Sequence, residues 1–164
     1  MVHGAEMIRV AFFPPKNKAW MGGVNYYKNL LFALSSLENK VIDPIVFVGR
    51  NADKDVTKIY SQYSQVVEHA IFDRKSLYWF ANRLSGYYFL ENLLSQYQID
   101  VLSHTSVKTK KWKTISWIPD FQHVHLPEMF TKKAIGSRNN SFQKLAKYSD
   151  RVILSSYSAL NDFK

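Results

Sequence analysis

Six short apolar runs recur along the chain, at residues 8–13, 44–49, 66–72, 100–103, 114–117 and 151–155, and they constrain the fold more than any other feature. Each is too brief for a helix, and none alternates strictly between apolar and polar side chains. Strands of that kind are buried on both faces, as in a parallel sheet covered by helices on either side. Between the runs the period changes. Residues 22–38 place Val24, Tyr27, Leu31 and Leu34 at helical spacing, and residues 76–97 do the same with Leu77, Phe80, Leu84 and Tyr88. Residues 51–63 are polar with weak helical character, and a further helix is expected from the Gly136 region to Tyr148. Ser155 or Ser156 is placed to cap a closing helix that the chain enters without finishing.

This alternation predicts an α/β fold, a Rossmann-like three-layer α/β/α arrangement with a mostly parallel sheet. At 164 residues the chain accommodates a single domain, and no internal repeat or linker divides it. No apolar run approaches the ~18–20 residues of a bilayer-spanning helix. The first residues lack the charged flank and apolar core of a secretory signal. A cytoplasmic protein is expected. The absence of cysteine excludes disulfides, thiolate metal sites and cysteine nucleophiles. An excess of 22 Lys and Arg over 13 Asp and Glu, a net charge of +9, favours anionic partners, whether phosphorylated metabolites, acidic headgroups or nucleic acid. The basic residues are scattered rather than gathered on one helix, so nucleic acid is not expected.

In an open parallel sheet, ligands bind beyond the carboxyl ends of the strands. Two loops there concentrate chemistry. Residues 16–23 (KNKAWMGG) follow the first strand and lead into a helix. Gly22 and Gly23 let a backbone approach a ligand, and the helix N-terminus directs amides and a positive dipole end toward a phosphate or sugar hydroxyl. The spacing matches neither G-x-G-x-x-G nor a Walker A loop, and the competing reading is a tight turn into the helix. Residues 117–130 (WIPDFQHVHLPEMF) join an acid, two histidines and an aromatic and proline frame. Asp120 could hydrogen-bond or deprotonate a hydroxyl, and His123 could orient a substrate or bind phosphate. His123 and His125 would share a face in extended chain, but no third ligand is nearby, so no metal is expected. For either histidine a structural hydrogen bond is the rival reading.

Arg138 suits a phosphate, or equally a solvated helix face. The aromatic segment 77–90, with Lys75 and Arg83 near it, could lie on a membrane surface, although an aromatic stripe at helical spacing more often packs into a core. The basic stretch 108–113 (KTKKWK) could meet headgroups, or be a solvated loop.

Three blocks together resemble the N-terminal halves of family 4 retaining glycosyltransferases of the GT-B fold: W-x-G-G-V-x-Y-x-x-N-L-L-x-A-L at 20–34, W-I-P-D-F-Q-H-x-H-L-P-E-M-F at 117–130 and L-A-x-Y-S-D-R-V-I-L-S-S-x-S-A-x-x-D-F at 145–163. The resemblance implies one of two facing Rossmann-like domains, the acceptor-binding one, with a nucleotide-sugar donor held by a C-terminal domain absent from this chain, and no metal or cofactor. Gly22 and Gly23 match the family's glycine loop, which reaches toward the donor diphosphate; Trp20 and Asn25 belong to the same block and join the substrate-binding candidates with His125 and Arg138. Asp120 matches the aspartate of the family's His-Asp pair, whereas the histidine of that pair is Pro119 here, leaving Asp120 or His123 as the catalytic candidates. The family's paired glutamates, eight positions apart, have no counterpart among the five glutamates of the chain. The resemblance therefore implies transfer of a sugar to a glycan or lipid-linked acceptor, little activity for this chain alone, and surface-polysaccharide assembly at the inner face of an acidic membrane as its setting. The alternative is a non-catalytic α/β module that binds a ligand or partner.

Overall fold

The computed structural model describes residues 7–164. Its strands are β1 (Ile8–Phe12), β2 (Ile42–Val48), β3 (Gln65–Glu68), β4 (Val101–Ser103), β5 (Lys113–Ile118) and β6 (Arg151–Leu154), ordered β3-β2-β1-β4-β5-β6 in one six-stranded sheet. β1 with β2, β2 with β3, and β5 with β6 run parallel. The helices are α1 (Met21–Ser35), α2 (Lys54–Ser61), α3 (Leu77–Leu84), α4 (Tyr88–Gln96), α5 (Gln122–His125), α6 (Lys132–Tyr148) and α7 (Tyr157–Phe163). The fold is α/β and Rossmann-like, with the strand order reversing beside β1 as in doubly wound sheets. None of the described helices is long and apolar enough to cross a membrane. The chain divides into two compact units within β4, after Leu102.

In the first unit, β1 and β2 bury Val10, Ala11, Phe12, Ile45, Val46, Phe47 and Val48. Val24, Tyr27 and Leu31 of α1, and Val56 and Tyr60 of α2, are buried as well. Each of the valine, leucine, isoleucine and phenylalanine side chains contributes about 1.5–3 kcal/mol by leaving water. The Tyr60 hydroxyl donates to the Pro15 carbonyl at 2.9 Å, so even the polar tip of this large ring is satisfied. β2 starts two residues before Pro44, which was expected to bound it. Proline fits because it aligns with Val10 of β1, whereas the β2–β3 ladder begins only at Ile45.

Two other elements depart from the periodicity. The run at 66–72 stops being strand at Glu68 and becomes a 3-10 turn, Ala70–Phe72, capped by His69 Nδ1, which accepts from the Ile71 amide at 3.1 Å. The single helix expected over 76–97 is two, α3 and α4, broken at Gly86 and Tyr87 with φ of 65° and 75°. Buried Asn82 stabilises the break: its carbonyl accepts from the Tyr87 amide at 2.8 Å and its Oδ1 from the Leu90 amide at 2.9 Å. Nor does the aromatic stripe pack into the core. Leu77, Tyr78, Phe80, Leu84, Tyr87, Tyr88 and Phe89 are all exposed. Periodicity identifies an apolar face without saying which way it points.

In the second unit, Ile118, Phe121 and Ala159 form a buried cluster against Phe142, Leu145, Val152, Leu154 and Phe163. α6 begins at Lys132, four residues before the Gly136 region, because Thr131 caps it by accepting from the Ala134 amide at 3.2 Å. Of the two serines expected to cap the closing helix, Ser156 does so, accepting from the Ala159 amide at 3.1 Å. Ser155 instead accepts from Trp117 Nε1 at 2.9 Å.

Candidate functional site

β5 delivers the chain to Pro119 and Asp120 at its carboxyl end, and Phe121 then buries in the cluster just described. Asp120 Oδ1 accepts from the Gln122 amide at 3.1 Å, closing the short side-chain-to-backbone turn that aspartate favours at the entrance of a helix. The same oxygen receives Arg138 Nη2 of α6 at 2.6 Å. The Arg138 guanidinium also lies 5.3 Å from the centre of the Phe130 ring and 5.8 Å from that of Phe142, so its plane is held by aromatic faces as well as by the carboxylate. About a third of each side chain of the pair is exposed, 31% for Arg138 and 36% for Asp120. Among the described residues, Asp120 Oδ2 has no partner.

His123 faces the other way. It is 1% exposed, with its ring 5.5 Å from Phe142 and 6.3 Å from Phe121 and from Phe130, and its Nε2 donates to Asn139 Oδ1 at 2.7 Å. His123, expected to orient a substrate or bind phosphate, is placed as a buried ring tethered to Asn139. Its Nδ1 and the Nε of Arg138 are buried without a hydrogen-bond partner. His125 donates from Nε2 to Asp162 Oδ2 of α7 at 2.9 Å and is exposed. The two histidines do not share a face. Residues 122–125 form a turn of helix, which rotates ~100° per residue and sets i and i+2 on nearly opposite sides. Among the described residues, no three His, Cys, Asp or Glu side chains gather as a metal site would require.

Three tethers therefore fix the segment after β5: Asp120 to Arg138, His123 to Asn139, and His125 to Asp162. Of the four polar candidates in this unit, Asp120 keeps an unengaged carboxylate oxygen at a partly exposed position. The other candidates, Trp20, Gly22, Gly23 and Asn25, belong to the first unit. Gly22 and Gly23 lie inside the first turn of α1 rather than in a loop before it. No side chain caps that turn, which follows directly on the 3-10 turn Lys18–Trp20. Trp20 explains one of the glycines: its half-exposed indole lies on the turn, where a Cβ at Gly23 would overlap the ring, while one at Gly22 would sit 3.5 Å from Trp20 Nε1 in ordinary contact. Asn25 is exposed one turn further on.

His104 was not singled out from the sequence, yet it occupies the carboxyl end of β4. Its φ of 55° is left-handed, an uncommon conformation for a residue with a Cβ. Nδ1 shares a 2.8 Å hydrogen bond with the Ser103 hydroxyl, and the ring lies 5.4 Å from that of Trp117. Burial pushes the imidazole down to about 4, so it is neutral near pH 7. Its position immediately after a short apolar run was the available signal, by the same rule that selected the other two loops.

No family model matches the chain, and no curated protein does. Among solved structures, a glucose-6-phosphate dehydrogenase in complex with its substrate glucose-6-phosphate is similar at 10% identity with a TM-score of 0.46. The alignment takes in 96% of this chain, which spans 38% of the dehydrogenase chain.

Proposed function

We propose that this chain is the acceptor-side domain of a retaining glycosyltransferase, working at the inner face of a membrane on a glycan or lipid-linked acceptor. The observation that carries the reading is Asp120: its carboxylate sits at the carboxyl end of β5, held through Oδ1 by Arg138 and the Gln122 amide, with Oδ2 left to receive an acceptor hydroxyl. The three sequence blocks support it, since they span nearly the whole chain in the family's order. In this reading Asp120 positions and polarises the acceptor hydroxyl. Arg138 and the His123 tether position Asp120. The uncapped first turn of α1 at Gly22 and Gly23 stabilises a departing diphosphate, and the nucleotide-sugar itself is held by a second domain.

A second reading, a binding module without catalysis, draws support from the tethers, because His123, His125 and Arg138 are all engaged by protein partners. The coding frame beyond Lys164 separates the two. A further Rossmann-like domain carrying glutamates eight apart supports the transferase, and Asp120→Asn in that whole enzyme should then lower sugar transfer roughly 100-fold or more, as for other acid–base groups. A frame without such a domain, or unchanged transfer in Asp120→Asn, leaves the binding module.

A further inference from the structure

We infer that the exposed face of α3 and the start of α4 is a docking surface for an anionic phospholipid bilayer. A helix on the surface of a globular protein normally turns its apolar stripe inward. α3 does the reverse. Leu77, Phe80 and Leu84 follow one another at spacings of three and four, which aligns them on one side of the helix, and that side is outward: Leu77 is 82% exposed and Leu84 88%. The face turned inward carries Asn82, whose backbone and side chain are consumed in holding the α3–α4 break. Beyond the break, Tyr87, Tyr88 and Phe89 extend the outward apolar surface, and residues 83–89 are exposed without interruption.

The charge around this surface selects the occupant. Exposed Arg74 and Lys75 precede α3, and Arg83 lies on it, 5.7 Å from the Trp79 ring. Residues 74–90 contain no aspartate or glutamate. Apolar and aromatic side chains ringed by cations alone match the acyl boundary and negative headgroups of an acidic leaflet, where Tyr and Trp rings favour the interface and long basic side chains reach the phosphates. Both helices are short, at 8 and 9 residues, so the surface lies along a bilayer and does not cross it.

This deepens the membrane setting proposed above. Vesicle binding is read without any sugar transfer, so failure of the docking surface and failure of the transferase reading are separate results. The test is co-sedimentation of the 164-residue chain with vesicles of phosphatidylcholine alone or with about a third phosphatidylglycerol. The expected result is binding to the anionic vesicles only, weakened roughly tenfold both by Leu77→Asp with Leu84→Asp and by Arg74→Gln, Lys75→Gln and Arg83→Gln together, and weakened by salt. All five side chains are exposed, and far-ultraviolet circular dichroism establishes that the variants are folded. Tyr88→Ser with Phe89→Ser repeats the apolar arm should the first pair not fold. Equal binding to neutral and anionic vesicles, no binding to either, or binding unchanged in folded apolar variants overturns the inference. So does self-association of the chain that Leu77→Asp with Leu84→Asp abolishes while vesicles remain unbound, which would make the occupant a second copy.

Discussion

Arg138 donates from Nη2 to Asp120 Oδ1 at 2.6 Å, joining the middle of α6 to the first residues after β5. Because both side chains are about one-third exposed, solvent screens the pair. The geometry is nevertheless fixed on the guanidinium side by Phe130 and Phe142. A double-mutant cycle with Asp120→Asn and Arg138→Gln should return a coupling of about 1 kcal/mol in denaturant unfolding. A coupling indistinguishable from zero would remove the positioning role assigned to Arg138. Arg138→Lys should lose most of the coupling, since an ammonium keeps the charge but not the planar contact with two rings.

Immediately beside Arg138, Asn139 receives His123, and the two residues of α6 thus hold the same short segment by two different side chains. His123 is a core residue surrounded by Phe121, Phe130 and Phe142. His123→Ala should cost about 3 kcal/mol, as large-to-small changes in packed sites do. His123→Phe forfeits the Asn139 hydrogen bond but removes a buried nitrogen that lacks a partner, so its cost should stay near ~1 kcal/mol. Thermal or denaturant unfolding measures both. If His123→Phe unfolds as readily as His123→Ala, the buried tether is worth more than the packing, and the assignment of roles within this cluster must be reversed.

The sequence revealed the strands better than the helices, for a physical reason visible in particular residues. A short continuous apolar run has few alternatives to a buried strand, so the runs at 8–13, 44–49 and 151–155 correspond to β1, β2 and β6 within a residue or two. The segment 76–97 shows the converse. Its helical period is real, but the left-handed backbone at Gly86 and Tyr87 and the burial of Asn82 depend on tertiary contacts that no local pattern encodes. At the site, Asp120 and the two histidines were legible as a polar cluster after a strand. Which of them faces inward was not, because the answer turns on Asn139 and Asp162, partners 16 and 37 residues away in sequence. His104 escaped attention as a lone histidine whose distinguishing features, a left-handed φ and burial against Trp117, exist only in the fold.

Gly22 and Gly23 make opposite demands although they are adjacent in the same helical turn. Alanine is favoured over glycine in a helix by about 1 kcal/mol. A Cβ at Gly22 finds ordinary contact distance, so Gly22→Ala should raise stability by roughly 0.5–1 kcal/mol. At Gly23 the same methyl overlaps the Trp20 indole, which must move away, and the gain is lost. Thermal melting should therefore rank Gly22→Ala above the parent and Gly23→Ala at or below it. Trp20 emission should shift only in Gly23→Ala. A Gly22→Ala chain that melts higher but no longer binds pyrophosphate would further separate the ligand role of this turn from its structural one.

His104 gives the folded chain a pH dependence. Burial holds its imidazole down at about 4 in the folded chain, against an ordinary value of 6.5 when unfolded. At pH 7 the folded ring is neutral and the unfolded one mostly so, and the pH-linked loss from this group is small. As pH falls below 6.5, the unfolded chain takes up the proton first, so stability declines progressively until the folded ring is itself protonated near 4, below which this group imposes no further loss. The total is on the order of 3 kcal/mol from a shift of this size. Replacing the ring with the neutral His104→Asn, whose side chain tolerates the left-handed backbone, should flatten the stability curve between those two pH values while leaving its high-pH limb. Unfolding followed at a series of pH values supplies the curve, and the imidazole proton resonance of His104 supplies the titration directly. A resonance that titrates near 6.5 would show that the ring is solvated and would remove it from the buried carboxyl end of β4.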